Sequence, residues 1–229
     1  MSISTVLLDV GGVILDESEH EAVRAGIACE ILSALKPAYS IEDYYADIEE
    51  AVAAFCPQTY RYVFWKHLNP DLDLFRKTYD SYSAQWRERR PPLRLYPEIG
   101  EEIQALYARF NLVIAGQYGK EILNLLQENG LSRYFSTQLT QDDFDITKPD
   151  PRYYERIAQT AADDPKCCVM VGDRIDKDVI PAKQVGMKTI RIRVGLHSHQ
   201  QPRTPDEIPD AELPNVTGLA QAVKALADK

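Results

Sequence analysis

Short apolar runs alternate along most of the chain with stretches in which apolar residues recur every three or four positions. Val6, Leu7 and Leu8 form one such run, "NLVIA" from Asn111 a second, "CCVMVG" from Cys167 a third and "KTIRIRVG" from Lys188 a fourth. Each reads as a buried strand. The first three give way at once to polar or glycine residues, and the second and third are followed by a helical pattern. Strands that alternate with helices predict an α/β fold, a doubly wound parallel sheet of Rossmann-like type covered on both faces. Gly130 after "EILNLLQEN" and Gly186 after "VIPAKQV" stand where a glycine closes a helix, and Pro181 falls in the first turns of its helix.

The pattern changes between Asp16 and Pro92. Four consecutive segments, "SEHEAVRAGIACEILSALK", "SIEDYYADIEEAVAAF", "PQTYRYVFWKHL" and "DLDLFRKTYDSYSAQWRE", read as helices, with Ile48, Val52 and Phe55 marking a buried face. An all-helical insertion after the first strand predicts a cap over residues 16–92, and residues 1–15 and 93–229 form the α/β core. Tyr44, Tyr45, Tyr60, Tyr62, Trp65, Tyr79, Tyr82 and Trp86 crowd this insertion and read as packing between helices.

Composition narrows the partners. The 229 residues suffice for a large core without metals or disulfides, and the four cysteines contain no Cys-x-x-Cys pair. Free thiols suggest a reducing compartment, and no apolar stretch is long enough to span a membrane, so a cytoplasmic protein is expected. A net charge of −9 argues against nucleic acid as a partner. The basic patch "RERRPPLR", Arg87 to Arg94, reads as a solvated helix end followed by a proline-stiffened linker. Bulk charge does not exclude a small anion held by a few focused donors, and oligomeric state is left open.

The chemistry gathers at the predicted strand ends, where ligands of such sheets bind. Asp9 follows the first run in "VLLDVGGVILD", and Gly11 and Gly12 supply a turn of positive φ. Lys148 in "TKPDPRYY" lies on a proline-restricted loop just before a helix. Asp173 and Asp178 bracket the turn in "VGDRIDKDVIPAKQVGM", with Asp176 between them as a cap for the following helix. Carboxylates at a strand end attract a hard cation such as Mg²⁺. His197 and His199 in "GLHSHQQPRTP" read as surface-loop residues, and Cys167 and Cys168 include at least one inert buried thiol.

Together these motifs resemble the haloacid dehalogenase superfamily, most closely its phosphatase-like branch with a helical cap after the first motif. The resemblance implies a Mg²⁺-dependent hydrolase acting on a small phosphorylated metabolite. Asp9 would be nucleophile and metal ligand, Lys148 the cation that neutralises charge, and Asp173 and Asp178 metal-binding residues, with Gly11 contributing its backbone carbonyl. Gly116 and Gln117 occupy the family's phosphate-binding position.

Two departures stand out. The family's phosphatases carry a second aspartate where this chain has Gly11, which removes general acid–base help worth roughly a hundredfold to ten-thousandfold. They carry a serine or threonine where this chain has Gly116. Glu19, His20 and Lys120 are candidates to compensate. Two alternatives stay open: a non-catalytic or weakly active phosphate- and metal-binding regulatory module, and a 2-haloacid dehalogenase, against which the metal-binding motif at Asp173 counts.

Overall fold

The structure is a computed structural model and describes residues 2–138, 140–143 and 145–228. The chain divides into two compact units, Met1–Asp16 with Leu93–Lys229, and Glu17–Pro92.

The first unit is built on a parallel sheet of strands β1 (Thr5–Leu8), β2 (Asn111–Ile114), β3 (Cys168–Gly172), β4 (Lys188–Ile192) and β5 (Ala211–Leu213), in the order β2-β1-β3-β4-β5. Alternation of side chains sends successive residues to opposite faces. Val6, Leu8, Leu112, Ile114, Val169, Val171, Ile190 and Ile192 enter one apolar core, while Leu7, Val113, Cys168 and Met170 enter another. Helices α5 (Ile99–Tyr107), α6 (Glu121–Glu128) and α9 (Leu219–Ala227) supply the first core; α7 (Pro151–Thr160) and α8 (Ile180–Gln184) supply the second. Each fully buried aliphatic side chain is worth roughly 1.5–3 kcal/mol, so burial on both faces makes the strand ends a rigid platform. The doubly wound sheet is the one the sequence predicts. The edge strand β5 is an addition, since "AEL" is short and half exposed and carries no apolar run.

The chain leaves β1 to one side of the sheet and returns from β2 to the other, so the order reverses between β1 and β3. That reversal opens a crevice at the carboxyl ends of these two strands. Asp9 and Asp173 are the first residues beyond them. Past β3 the backbone forms a π-helical turn over Ile175–Val179 before α8, and Gly130 and Gly186 close their helices at positive φ. Of the two glycines after Asp9, Gly12 takes the positive φ of 70°.

The second unit consists of α1 (Ser18–Leu35), α2 (Ile41–Ala53), α3 (Thr59–Leu68) and α4 (Leu72–Arg89). Ser40 and Asp43 form a reciprocal capping box at the start of α2, and Asp71 caps α4 by accepting from Leu74 N at 2.9 Å. Its aromatic residues pack on one another, with Phe64 and Tyr82 ring centroids 4.8 Å apart and Phe75 stacked on Tyr79 at 5.9 Å. No described helix is long and apolar enough to cross a membrane.

Candidate active site

The site is assembled from three segments of the chain at the carboxyl end of the sheet. β1 delivers Asp9, whose backbone N–H donates to Val171 O on β3 at 2.9 Å. Val10 N donates to Asp9 Oδ1 at 2.8 Å, which fixes the carboxylate against its own turn. Lys148 precedes α7, whose first turn is capped by the Asp150 carboxylate accepting from Arg152 N. β3 delivers Asp173, and the π-helical turn swings Asp178 back over the strand end.

Glycine is required at two points of this packing. A Cβ on Gly172 would lie 2.3 Å from Asp178 Cγ, and one on Gly12 would lie 2.9 Å from Asp173 Cβ. These close approaches let two carboxylates sit directly on the β3 end and the β1 loop.

Lys148 lies between two carboxylates, with its Nζ 3.0 Å from Asp9 Oδ1 and 2.6 Å from Asp178 Oδ1. The lysine and Asp178 are buried, their side chains 3% and 1% exposed. Asp178 Oδ2 accepts a second hydrogen bond from Arg174 N at 3.1 Å. Single carboxylate oxygens of Asp9, Asp173 and Asp178 all lie within 4.8 Å of one another. Three acids converge here, and the lysine is paired with two of them. Burial pushes the Asp9 carboxyl up to about 6; the Lys148 ammonium opposes this, and the Asp178 charge adds to it. Burial also works against the Lys148 ammonium, but Asp178 and Asp9 outweigh it and hold its pKa well above the usual lysine value. Lys148 is therefore a fixed positive charge.

Hard oxygen donors gathered this closely are the set Mg²⁺ takes, and the residues present fit that ion. Asp9, Asp173, Asp178 and Lys148 thus come together as one cluster. Gly116 is buried beside the Asp9 turn, so close that a Cβ there would lie 2.2 Å from Val10 Cγ2. Its missing hydroxyl is thereby coupled to the valine after Asp9. Gln117 is half-buried and Lys120 is exposed at the start of α6.

Several residues do not behave as their sequence context suggests. Asp176 is no helix cap: it pairs with Arg174 Nη2 at 2.6 Å and accepts from Gln200 Nε2 at 2.8 Å. His197 is buried, and its pKa is pushed down to about 3 by burial and by the Arg174 charge, so a surface position is ruled out. His20 is engaged inside the helical unit, its Nε2 donating to Pro91 O at 2.9 Å and its ring set edge-on to Trp86. Cys168, in contrast, is the buried thiol the sequence leads one to expect of the Cys167–Cys168 pair, pushed up to about 12 by burial. Arg191 was not singled out by the sequence reasoning. The available signal was a charged residue inside an otherwise apolar strand.

This arrangement can hold a cation, fix an anion beside a lysine and present a carboxylate oxygen to it. The chain matches the haloacid dehalogenase-like hydrolase family over residues 3–186. It belongs to that family. A glyceraldehyde 3-phosphate phosphatase of Methanopyrus kandleri is 26% identical to this hydrolase over 98% of its chain and 99% of the relative's. A phosphoserine phosphatase of Thermus thermophilus is 30% identical over 72% of this chain and 65% of the relative's. Among solved structures, a predicted phosphoglycolate phosphatase from Haemophilus somnus superimposes with a TM-score of 0.70 at 17% identity, covering 97% of this chain and 98% of that one.

Proposed function

We propose that this hydrolase is a Mg²⁺-dependent phosphatase that cleaves a small phosphorylated metabolite through an aspartyl-phosphate on Asp9. The observation that carries the reading is the buried lysine bridging Asp9 and Asp178, with Asp173 completing an oxygen cluster within 4.8 Å. The phosphatase names of the curated relatives support it.

Asp9, Asp173 and Asp178 would hold Mg²⁺ together with the Gly11 carbonyl, and the ion would offset the charge on the phosphate oxygens. Asp9 Oδ1 accepts from Val10 N–H and lies against Lys148, which fixes the carboxylate; one of its oxygens would attack phosphorus and the other would serve the ion. The bond from phosphorus to the leaving oxygen breaks as the new Asp9–phosphorus bond forms. Lys148 donates to Asp9 and faces the incoming phosphate, so it holds the nucleophile and screens the approach of two anions. Water then displaces Asp9 from phosphorus and releases inorganic phosphate. Gly116 and Gln117 offer backbone N–H groups, and Gln117 its amide, to the phosphate oxygens. The helical unit acts as the cap that selects substrate.

Gly11 carries no side chain to protonate a leaving alkoxide. The reading therefore favours substrates whose leaving group departs as a stable anion, such as acyl or anomeric phosphates. The test is hydrolysis of sugar, nucleotide and acyl phosphates with Mg²⁺ and with EDTA, beside Asp9→Asn. Turnover that requires both metal and Asp9, with acyl phosphates fastest, is expected. Asp9→Asn should lower the rate by on the order of 10⁴-fold while leaving the far-ultraviolet spectrum unchanged. Full activity of Asp9→Asn would overturn the nucleophile; no turnover on any substrate, with Mg²⁺ still bound, would shift the reading to a binding module.

A further inference from the structure

Arg191 is among the largest fully buried side chains, 1% exposed, on a strand whose neighbours Ile190 and Ile192 are apolar. It pairs in register with Gly172, the last residue before Asp173, and alternation turns it to the face opposite those two isoleucines. A guanidinium has five N–H donors, and here each has an acceptor. Nε donates to Asp173 O at 3.3 Å. Nη1 donates to Gln200 O at 2.9 Å and to Glu212 Oε1 at 3.0 Å. Nη2 donates to His197 O at 2.7 Å and to Ser198 O at 3.3 Å. The 197–200 turn is thereby tied to the backbone of Asp173.

From Gln200 the contacts run on toward the acidic cluster. Its fully buried side chain accepts from Ile175 N at 2.7 Å and donates to Asp176 at 2.8 Å. Asp176 clasps Arg174, whose N–H donates to Asp178 Oδ2. One end of this chain holds Asp173 and the other holds Asp178. We propose that Arg191, acting through Gln200, is a positioning residue that sets the Asp173 and Asp178 carboxylates for Mg²⁺.

Stability alone does not account for an arginine here. β4 is already held by ladder pairing with β3 and β5 and by two isoleucines in the core. A buried charge is costly to desolvate, and apolar replacements of buried ionic groups are often neutral or stabilising. The five-donor fork does what an apolar residue or a lysine cannot: it fixes several carbonyls at once. Groups that orient metal ligands from behind typically change metal affinity by about 10–100-fold.

The inference rests on Asp173 and Asp178 binding Mg²⁺, so the experiment measures that first. Mg²⁺ binding by titration calorimetry on the metal-stripped protein without substrate is compared for the parent chain, Arg191→Met, Arg191→Lys and Gln200→Met, with the Mg²⁺ dependence of hydrolysis and the melting temperature in EDTA alongside. Expected are Mg²⁺ dissociation constants at least about tenfold weaker in all three variants, a matching rise in the Mg²⁺ needed for half-maximal rate, and a smaller loss at saturating Mg²⁺. Arg191→Met combined with Gln200→Met should lose less than the product of the single losses, because the two act in series. Folded variants with an unchanged Mg²⁺ constant overturn this inference and leave the proposed function standing. A parent chain that binds no Mg²⁺ overturns both. If Arg191→Met does not fold, the Gln200 variant carries the test; collapse of both assigns them to the fold and overturns the inference.

Discussion

Both units of the molecule bury charge, and they do so in opposite ways. Inside the helical unit Glu21 accepts from Tyr44 Oη and Tyr60 Oη at 2.9 Å each. Arg24, one turn on, lies 3.7 Å above the Trp86 ring and 4.4 Å above Tyr60, and its Nη1 lies 3.3 Å from Tyr82 Oη. One carboxylate meets one guanidinium, and phenol hydroxyls complete the set. Asp47 follows the same plan, with Lys66 at 2.7 Å, His67 at 2.5 Å and Tyr39 at 2.8 Å. At the sheet ends, by contrast, three carboxylates converge within 4.8 Å of one another, and one lysine bridges two of them. A single carboxylate among its own donors serves packing, whereas converging carboxylates repel one another and suit a cation that can join them. Buried charge alone therefore does not mark a site; carboxylates that converge on one point do.

The sharpest way to break this comparison is to remove the lysine that bridges the converging carboxylates. Lys148→Met should cost about 10³-fold in turnover and roughly 3–5 kcal/mol of stability in EDTA, because Asp9 and Asp178 are left buried without a counter-charge. Mg²⁺ should restore much of the stability and little of the rate. Urea unfolding with and without Mg²⁺ checks this, and a metal-independent loss would show that the lysine serves packing alone.

A smaller effect is expected where the site packs closest. Gly116→Ser restores the hydroxyl of related phosphatases but puts a Cβ 2.2 Å from Val10 Cγ2 and 2.9 Å from Val10 N. It should destabilise the core unit by about 1–3 kcal/mol, and Val10→Gly in the same chain should recover part of that. Equal urea midpoints for Gly116→Ser and the parent would contradict the packing.

The smallest effect tests the packing cluster. Burial pushes the Glu21 carboxyl up from 4.5 to about 7, against the hydroxyls of Tyr44 and Tyr60 and the charge of Arg24, with Glu17 adding to the rise. Between these values the folded chain keeps a proton the unfolded chain has lost. Stability from this group is thus present at low pH, falls as pH rises from about 4.5 to about 7 and is flat above. Glu21→Gln should remove the decline across that window, seen as a flatter dependence of the melting temperature on pH. An unchanged pH profile would show that Glu21 is ionised throughout.

Much of the architecture was legible in local pattern. Short apolar runs and helical runs of period 3.6 are written into neighbouring residues, so β1 to β4 and the four helices of the insertion could be read directly. The same holds for the loops carrying Asp9, Lys148, Asp173 and Asp178, because each follows or precedes an element the sequence itself marks. β5 was not legible: three half-exposed residues at a sheet edge carry no periodicity, and pairing with β4 alone makes them a strand.

What only the tertiary structure decided is which distant groups meet. Lys148 bridges Asp9 and Asp178 because the sheet brings together loops from three parts of the chain. Asp176 serves Arg174 and Gln200 because the backbone takes a π-helical turn that no capping pattern announces. Arg191 finds acceptors on Asp173, His197, Ser198, Gln200 and Glu212, most of them main-chain carbonyls, which carry no sequence identity. His197 is buried for the same reason, in a segment whose composition reads as exposed loop. Sequence specifies local backbone and the order of chemical groups; which charged groups converge depends on contacts across the fold, and that convergence distinguishes a packing cluster from a site.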